Sequence, residues 1–250
     1  MALPKVKVMY HTLTLPSTGK EVRFRPFLVK EEKILMMAMQ GGESKDMISS
    51  LKDIINNCME EDIKVSELPM FDFEYIFLQL RARSVGDTID ISYSEPEKIC
   101  SKDDKECKFV SVLNIDEIKA PKITTQKDLI DITDTIKVKL RWPKVDDAAS
   151  LGALGLEGTT QSDMVESTFT VIANCIEYIM EGEEMFKVKD HTKKDIDDFL
   201  NSLSSSQFKS IQGYFESLPK LTKDVTSTCT KCGNTDVKHL EGVGDFFELG

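Results

Sequence analysis

Residues 13–38 read LTLPSTGKEVRFRPFLVKEEKILMMA, and the chain changes period within them. From Lys5 through Leu15 (KVKVMYHTLTL) apolar and polar residues alternate, as they do on a half-buried strand. PSTG at 16–19 supplies turn residues, and alternation resumes at Val22, Phe24 and Phe27, which predicts a hairpin. Pro26 has no N–H for an interior ladder, so the second strand ends there or lies at an edge. From Lys30 the spacing is helical: Ile34, Leu35, Met37 and Ala38 mark one face, ended by Gly41-Gly42.

Working outward, the same two periods sort the rest of the chain. After Ser44 as a cap, Met47, Ile48, Leu51, Ile54, Ile55, Cys58 and Met59 form a second helical face. LPMFDFEYIFLQLRARSVG (68–86) predicts a third helix with Phe73, Ile76, Phe77 and Leu80 inward. Strand alternation returns at TIDISY (88–93), FVSVLNI (109–115) and TIKVKLRW (135–142). Residues 144–162, rich in Gly, Ala and Asp, read as a long loop. A strongly amphipathic helix follows, carrying Val165, Phe169, Ile172, Cys175, Ile176 and Ile179. Thr192-x-x-Asp195 approximates a capping box, and Ser204-x-x-Gln207 fits one. No internal repeat is recognised.

The expected fold class is therefore α+β: an N-terminal β-hairpin, a core of about six helices, and a small zinc-ribbon-like β unit. The expected division is 1–85 for the hairpin and first helices, 86–118 plus 222–250 for the ribbon-like unit, 119–162 for a strand and long loop, and 163–221 for C-terminal helices packing on the N-terminal ones.

Composition limits the function. The 250 residues are 40% hydrophobic and 30% charged, the balance of a globular protein. Such a chain buries roughly 70–75% of its unfolded surface without needing disulfides. A formal net charge of −11 opposes a phosphate backbone and so argues against nucleic acid as a partner. No apolar stretch has the length of a membrane span or the pattern of an export signal, so the expectation is folding in a reducing cytoplasm.

The six cysteines are then thiols or metal ligands. Cys100 and Cys107 are spaced C-x6-C, and Cys229 and Cys232 form a C-x2-C followed by Gly233. Zinc takes four thiolates in a tetrahedron, which the two pairs supply together if the C-terminal segment folds back onto the 88–115 hairpin. Unligated thiols and a redox pair are the alternatives. CTKC does not open a helix after a buried strand, as redox motifs do. The loop SKDDKE between Cys100 and Cys107 is long and acidic for a metal knuckle. His239 is a substitute ligand or a surface residue, and Cys58 and Cys175 read as core.

Catalytic constellations are not found. GALGLEG (152–158) lacks the Lys-Ser/Thr of a phosphate loop, HExxH and GxSxG are absent, and His11, His191 and His239 stand in unrelated contexts. Asp195, Asp197 and Asp198 read as a solvated face, and the methionines as core filler.

Several stretches resemble the T-even phage baseplate hub family, whose members open with a strand, a PSTG-like turn and an RPF-x-V-KEEK-x-L segment. Residues 13–38, LPMFDFEYIFLQLRARSVGD (68–87), LSSSQFKSIQGYFESLPKL (203–221), CTKCG (229–233) and GVGDFF (242–247) carry the likeness, which omits about 119–162. It implies a non-enzymatic protein of the central hub of a contractile tail, made in the infected bacterium's cytoplasm. Its implied place is the tail baseplate of the virion, bound to other hub and tail proteins in a symmetric hetero-oligomeric assembly. A hub assembly chaperone that leaves the mature virion is the alternative, and a zinc-ribbon nucleic-acid regulator a further one. Arg25 with Phe27, and Phe246 with Phe247 in the apolar tail, are the candidate protein-binding residues; Phe27 and its neighbouring charges equally suit core and helix surface.

Overall fold

The structure is a computed structural model, describing residues 7–41, 44–102, 105–123, 127–149, 161–242 and 245–246. The first unit is a hairpin of β1 (His11–Thr14) and β2 (Glu21–Phe24), then α1 (Val29–Gly41), α2 (Ser44–Cys58), a 3-10 turn at Val65–Glu67 and α3 (Met70–Ser84). Gly19, at φ 68, turns the hairpin. The inward residues of the hairpin, Leu13, Val22 and Phe24, pack with Ile48, Leu51 and Ile55 of α2 and with Phe73, Phe77 and Leu80 of α3.

The chain leaves β2 through Arg25, whose side chain is almost fully used internally. Its Nη2 donates to Glu31 Oε1 at 2.9 Å and to the Asn57 carbonyl at 2.8 Å, and Nη1 donates to the Pro26 carbonyl at 3.0 Å. Glu31 in turn accepts the Leu28 N–H at 2.8 Å and so holds the start of α1. One buried ion pair thereby ties the end of a strand, the beginning of one helix and the end of another.

The second unit contains β5 (Leu129–Asp131), β6 (Ile136–Leu140), the short α4 (Val145–Ala149), α5 (Gln161–Cys175), β7 (Ile176–Glu181), β8 (Glu184–Lys187), a 3-10 turn at Val188–Asp190, α6 (Lys193–Ser202) and α7 (Ser205–Glu216). Two expectations are corrected here. The helix through Ile179 stops at Cys175, because Ile176 pairs with Leu140 and the β-branched residues continue as a strand in the sheet β5-β6-β7-β8. The C-terminal helices take that sheet as their main partner rather than the N-terminal helices: Val138, Leu140 and Ile176 need a cover, and Ile172, Ile196, Leu200, Ile211 and Tyr214 supply it. Of the expected loop 144–162, residues 145–149 form α4 and 150–160 lie outside the described residues. Thr192 and Asp195 make a complete capping box, the shorter Asp side chain reaching back as well as a Glu would.

The third element is a sheet in the order β10-β9-β4-β3, built from β3 (Thr88–Cys100), β4 (Lys105–Asn114), β9 (Thr222–Cys229) and β10 (Thr235–Glu241). It packs on the face of α3 opposite the first unit, where Leu78 and Ala82 meet Ile89, Ile91, Val225 and Leu240.

The first two units repeat one design, contrary to the sequence reading. Arg141 is a second clamp: it donates to Asp147 at 2.7 and 3.2 Å, to the Asn174 carbonyl at 2.7 Å and to the Trp142 carbonyl at 3.0 Å, and Asp147 accepts the Lys144 N–H at 2.8 Å. The backbone N–H of Arg25 bonds the Cys58 carbonyl and that of Arg141 the Cys175 carbonyl, both at 2.9 Å. Aligned on these contacts, DMISSLKDIINNC (46–58) and DMVESTFTVIANC (163–175) are identical at six of thirteen positions, and KVSELPMFDFEYIFLQL (64–80) matches KVKDHTKKDIDDFLNSL (187–203) in its Lys-Val, Asp and apolar positions. Hairpin, clamp, helices, 3-10 turn and helix recur in the same order.

Burial pushes the Glu31 carboxyl up, but hydrogen bonds from Arg25, Leu28 and Lys30 outweigh it and hold it down to about 2, against an ordinary 4.5. That difference is worth at most about 3 kcal/mol, fully present above pH 4.5 and lost as pH falls towards 2. Glu31→Gln is therefore expected to lower the unfolding free energy at neutral pH by up to about 3 kcal/mol, with the gap to the unaltered chain closing in acid. Urea melts from pH 7 to pH 2.5 check this; a gap independent of pH refutes the clamp as the cause.

Candidate metal centre

Cys100 is the last residue of β3 and Cys107 lies in β4, so a hairpin end, not a knuckle, brings this pair together. The strands are in register at Cys100↔Lys105 and shift between Glu95 and Ile99. The last two residues of the acidic spacer, Lys105 and Glu106, belong to β4 itself. Cys229 closes β9 and Cys232 sits in the turn to β10, where the Gly233 N–H bonds the Cys229 carbonyl at 3.0 Å and Gly233 takes φ 79. The two pairs meet because β4 pairs with β9, at Phe109↔Cys229 and Val110↔Thr228.

The four Sγ atoms all lie within 4.8 Å of one another, with Cys107 and Cys232 at 3.5 Å. Cys100, Cys107 and Cys229 are buried and Cys232 is half-buried. A disulfide would bring two sulfurs to about 2.05 Å, and all four cysteines are free. A tetrahedron with metal–sulfur bonds of about 2.3 Å separates its sulfurs by about 3.8 Å. The cluster is of that size.

Its electrostatics favour a cation. The backbone N–H groups of Cys232 and Lys231 hold the Cys229 thiol down at about 6, whereas burial and the neighbouring sulfurs push Cys107 up to about 12. One thiolate forms readily; four in one place need a positive ion among them. Four thiolate ligands leave no position for water or substrate, so such a site is structural. The cysteine cluster shares its wall with Tyr93 and Phe109, whose rings stack at 5.5 Å. The Tyr93 hydroxyl donates to Asp236 at 2.8 Å, Asp236 also pairs with Lys98, and the Lys98 ammonium lies 5.4 Å from the Phe109 ring centre. This network was not read from the sequence, where nothing links Tyr93 to an aspartate 143 residues away.

The remaining candidates have other places. Phe27 and Phe246 are buried and offer no surface to a partner. Arg25 is occupied by its clamp, and Phe247 lies outside the described residues. His239 pairs with Asp224 at 2.6 Å on the exposed side of the sheet. Cys58 and Cys175 are core residues, with burial pushing their thiols up to about 11 and about 12. The methionines are not all core filler, since Met9, Met36, Met37 and Met185 are exposed. No helix among the described residues is long and apolar enough to cross a membrane.

A family model described as T4 bacteriophage base plate protein matches residues 8–248, including the stretch 119–162. No curated protein and no solved structure matches the chain.

Purified chain stripped of metal and titrated with cobalt(II) is expected to bind one ion with the visible absorption of a tetrahedral thiolate complex. Cys107→Ser and Cys229→Ser should each abolish that spectrum and lower the melting temperature, while Cys58→Ala leaves the spectrum intact. Unchanged cobalt binding by Cys107→Ser refutes the ligand set.

Proposed function

Because the chain belongs to the T4 bacteriophage base plate protein family, we propose that it is a structural part of the central hub of a contractile phage tail, built into the virion. The family match over nearly the whole chain carries this reading. It acts by binding other hub and tail proteins within a symmetric hetero-oligomeric assembly, not by catalysis and not through nucleic acid. The formal charge of −11 supports protein partners over a phosphate backbone.

The surface supports docking as well. A helix on a soluble protein ordinarily turns charged residues outward, but α1 exposes Val29, Met36 and Met37 along one stripe, at 80%, 55% and 63%. Methionine is enriched in protein interfaces and exposed apolar stripes mark them. The metal in this reading is zinc, held by Cys100, Cys107, Cys229 and Cys232. It fixes the C-terminal hairpin to the middle of the chain and keeps the ribbon rigid enough to be an assembly element.

Mass spectrometry of purified particles is expected to find this chain in fixed proportion to the other baseplate proteins. Recovery only from infected-cell lysate, bound to unassembled hub proteins, overturns the virion role in favour of an assembly chaperone.

A further inference from the structure

The two copies of the repeated unit differ in how one carboxylate is covered. Asp72 and Asp195 stand at matching positions, in the first turns of α3 and α6. Asp72 is fully buried, and it accepts the Ser17 N–H at 3.0 Å as well as the Ser17 hydroxyl. The hairpin turn of the first copy therefore lies over it, and the inward residues that follow, Phe73 and Ile76, are completely covered.

In the second copy the turn is one residue shorter. The Leu15 N–H reaches the Lys20 carbonyl across four residues, whereas the Ile132 N–H reaches the Ile136 carbonyl across three. That shorter turn has two hydroxyls, which lie 3.4 Å apart, and the one on Thr133 accepts the N–H groups of Thr135 and Ile136, so both face each other locally. Asp195 is exposed, and Phe199, the counterpart of Ile76, is only half-buried. A cavity of about 240 Å3 opens at this place, with apolar walls that include Ile136, Ile179, Phe186 and Phe199 and with Glu181 and His191 beside Asp195 among its polar lining.

We propose that this cavity is the docking site for a turn of another protein, one that presents a serine or threonine hydroxyl and its backbone N–H to Asp195 and lays a small apolar residue on the Ile and Phe walls. The first copy supplies the pattern of the occupant: Pro16-Ser17-Thr18-Gly19 on Asp72. Thr192 uses only Oδ2 of Asp195, through its N–H at 2.8 Å and its hydroxyl at 2.7 Å; Oδ1 takes no bond among the described residues. The apolar walls disfavour a purely polar occupant, and the carboxylates of Asp195 and Glu181 disfavour a purely apolar one, since they would lose water with no donor in return. A second copy of this chain cannot supply its own Pro16–Gly19 turn, because Asp72 already holds it. The source of the partner among baseplate proteins rests on the function proposed above; the site itself does not.

The probe is a peptide of residues 14–20 of this chain, TLPSTGK, titrated into the isotope-labelled full chain. The amide signals of Phe186, His191, Asp195 and Phe199 are expected to shift and saturate. The peptide carrying Ser17→Ala, and the protein carrying Asp195→Asn, should each bind about tenfold more weakly, the loss of a hydrogen bond to a charged group. Absence of saturable shifts at millimolar peptide, shifts elsewhere on the chain, or equal binding by the alanine peptide overturns the site. The same amides shifting with protein concentration alone, together with a change in oligomeric state, overturns the choice of partner in favour of self-association. Neither result depends on whether the chain is found in particles, so this site and the hub reading can fail separately.

Discussion

α3 is apolar on two opposite faces, and both have to be covered. One face carries Phe73, Ile76, Phe77 and Leu80, and the hairpin with α2 closes over it. The other carries Leu78 and Ala82, and the ribbon-like sheet closes over that. The ribbon-like sheet is too small to be a stable domain alone, since a unit of about 40 residues seldom buries enough apolar surface. The shared helix resolves this by giving the sheet and the first unit the same backing. A cluster of four cysteines, Cys100, Cys107, Cys229 and Cys232, that could hold a metal ion lies in the same sheet, outside the core shared with α3.

The Arg–carboxylate clamp, mostly shielded in the first copy and half-buried in the second, solves a local problem twice. Where a strand gives way to a helix, backbone donors at the helix start and carbonyls at the end of a neighbouring helix lack partners. An arginine, with its donors in a rigid fork, reaches a carboxylate and a carbonyl together. Arg25 does so with Glu31 and Asn57, and Arg141 with Asp147 and Asn174. Exchanging Glu for the shorter Asp kept the geometry, which shows that the constraint lies in the fork and not in one side-chain length.

The hairpin, the first three helices and the strands β3 and β4 were legible because their periods are unambiguous, whereas β9 and β10 were expected only as part of a β unit that the cysteine pair marked. Ile176 and Ile179 misled because their spacing suits a helix as well as a buried strand, and only pairing with β6 decides between the two. The repeat stayed hidden for a different reason. The offset between copies grows from 116 residues at Arg25 and Arg141 to 123 at Asp72 and Asp195, so no fixed period exists to detect. Of the metal centre, the C-x2-C-Gly half announces itself by spacing. The other half depends on strand pairing that joins residues such as Cys107 and Cys232, 125 positions apart. Arg25 and Phe27 stood out as a conspicuous pair, but conspicuousness here marks a strand-to-helix junction and not a surface.

The pairing of β4 with β9 also makes the whole second unit an insertion between two strands of one sheet. Closing a loop of that length costs about 2 kcal/mol more than closing a ten-residue turn. During synthesis the hairpin and the first three helices can pack together once α3 has emerged, with Val145 of α4 joining their core later, whereas β3 and β4 must wait with an unpaired edge until β9 and β10 leave the ribosome. Synthesis thus leaves an open, strand-accepting edge for the time taken to make about a hundred residues, and the C-terminal hairpin is what finally closes it.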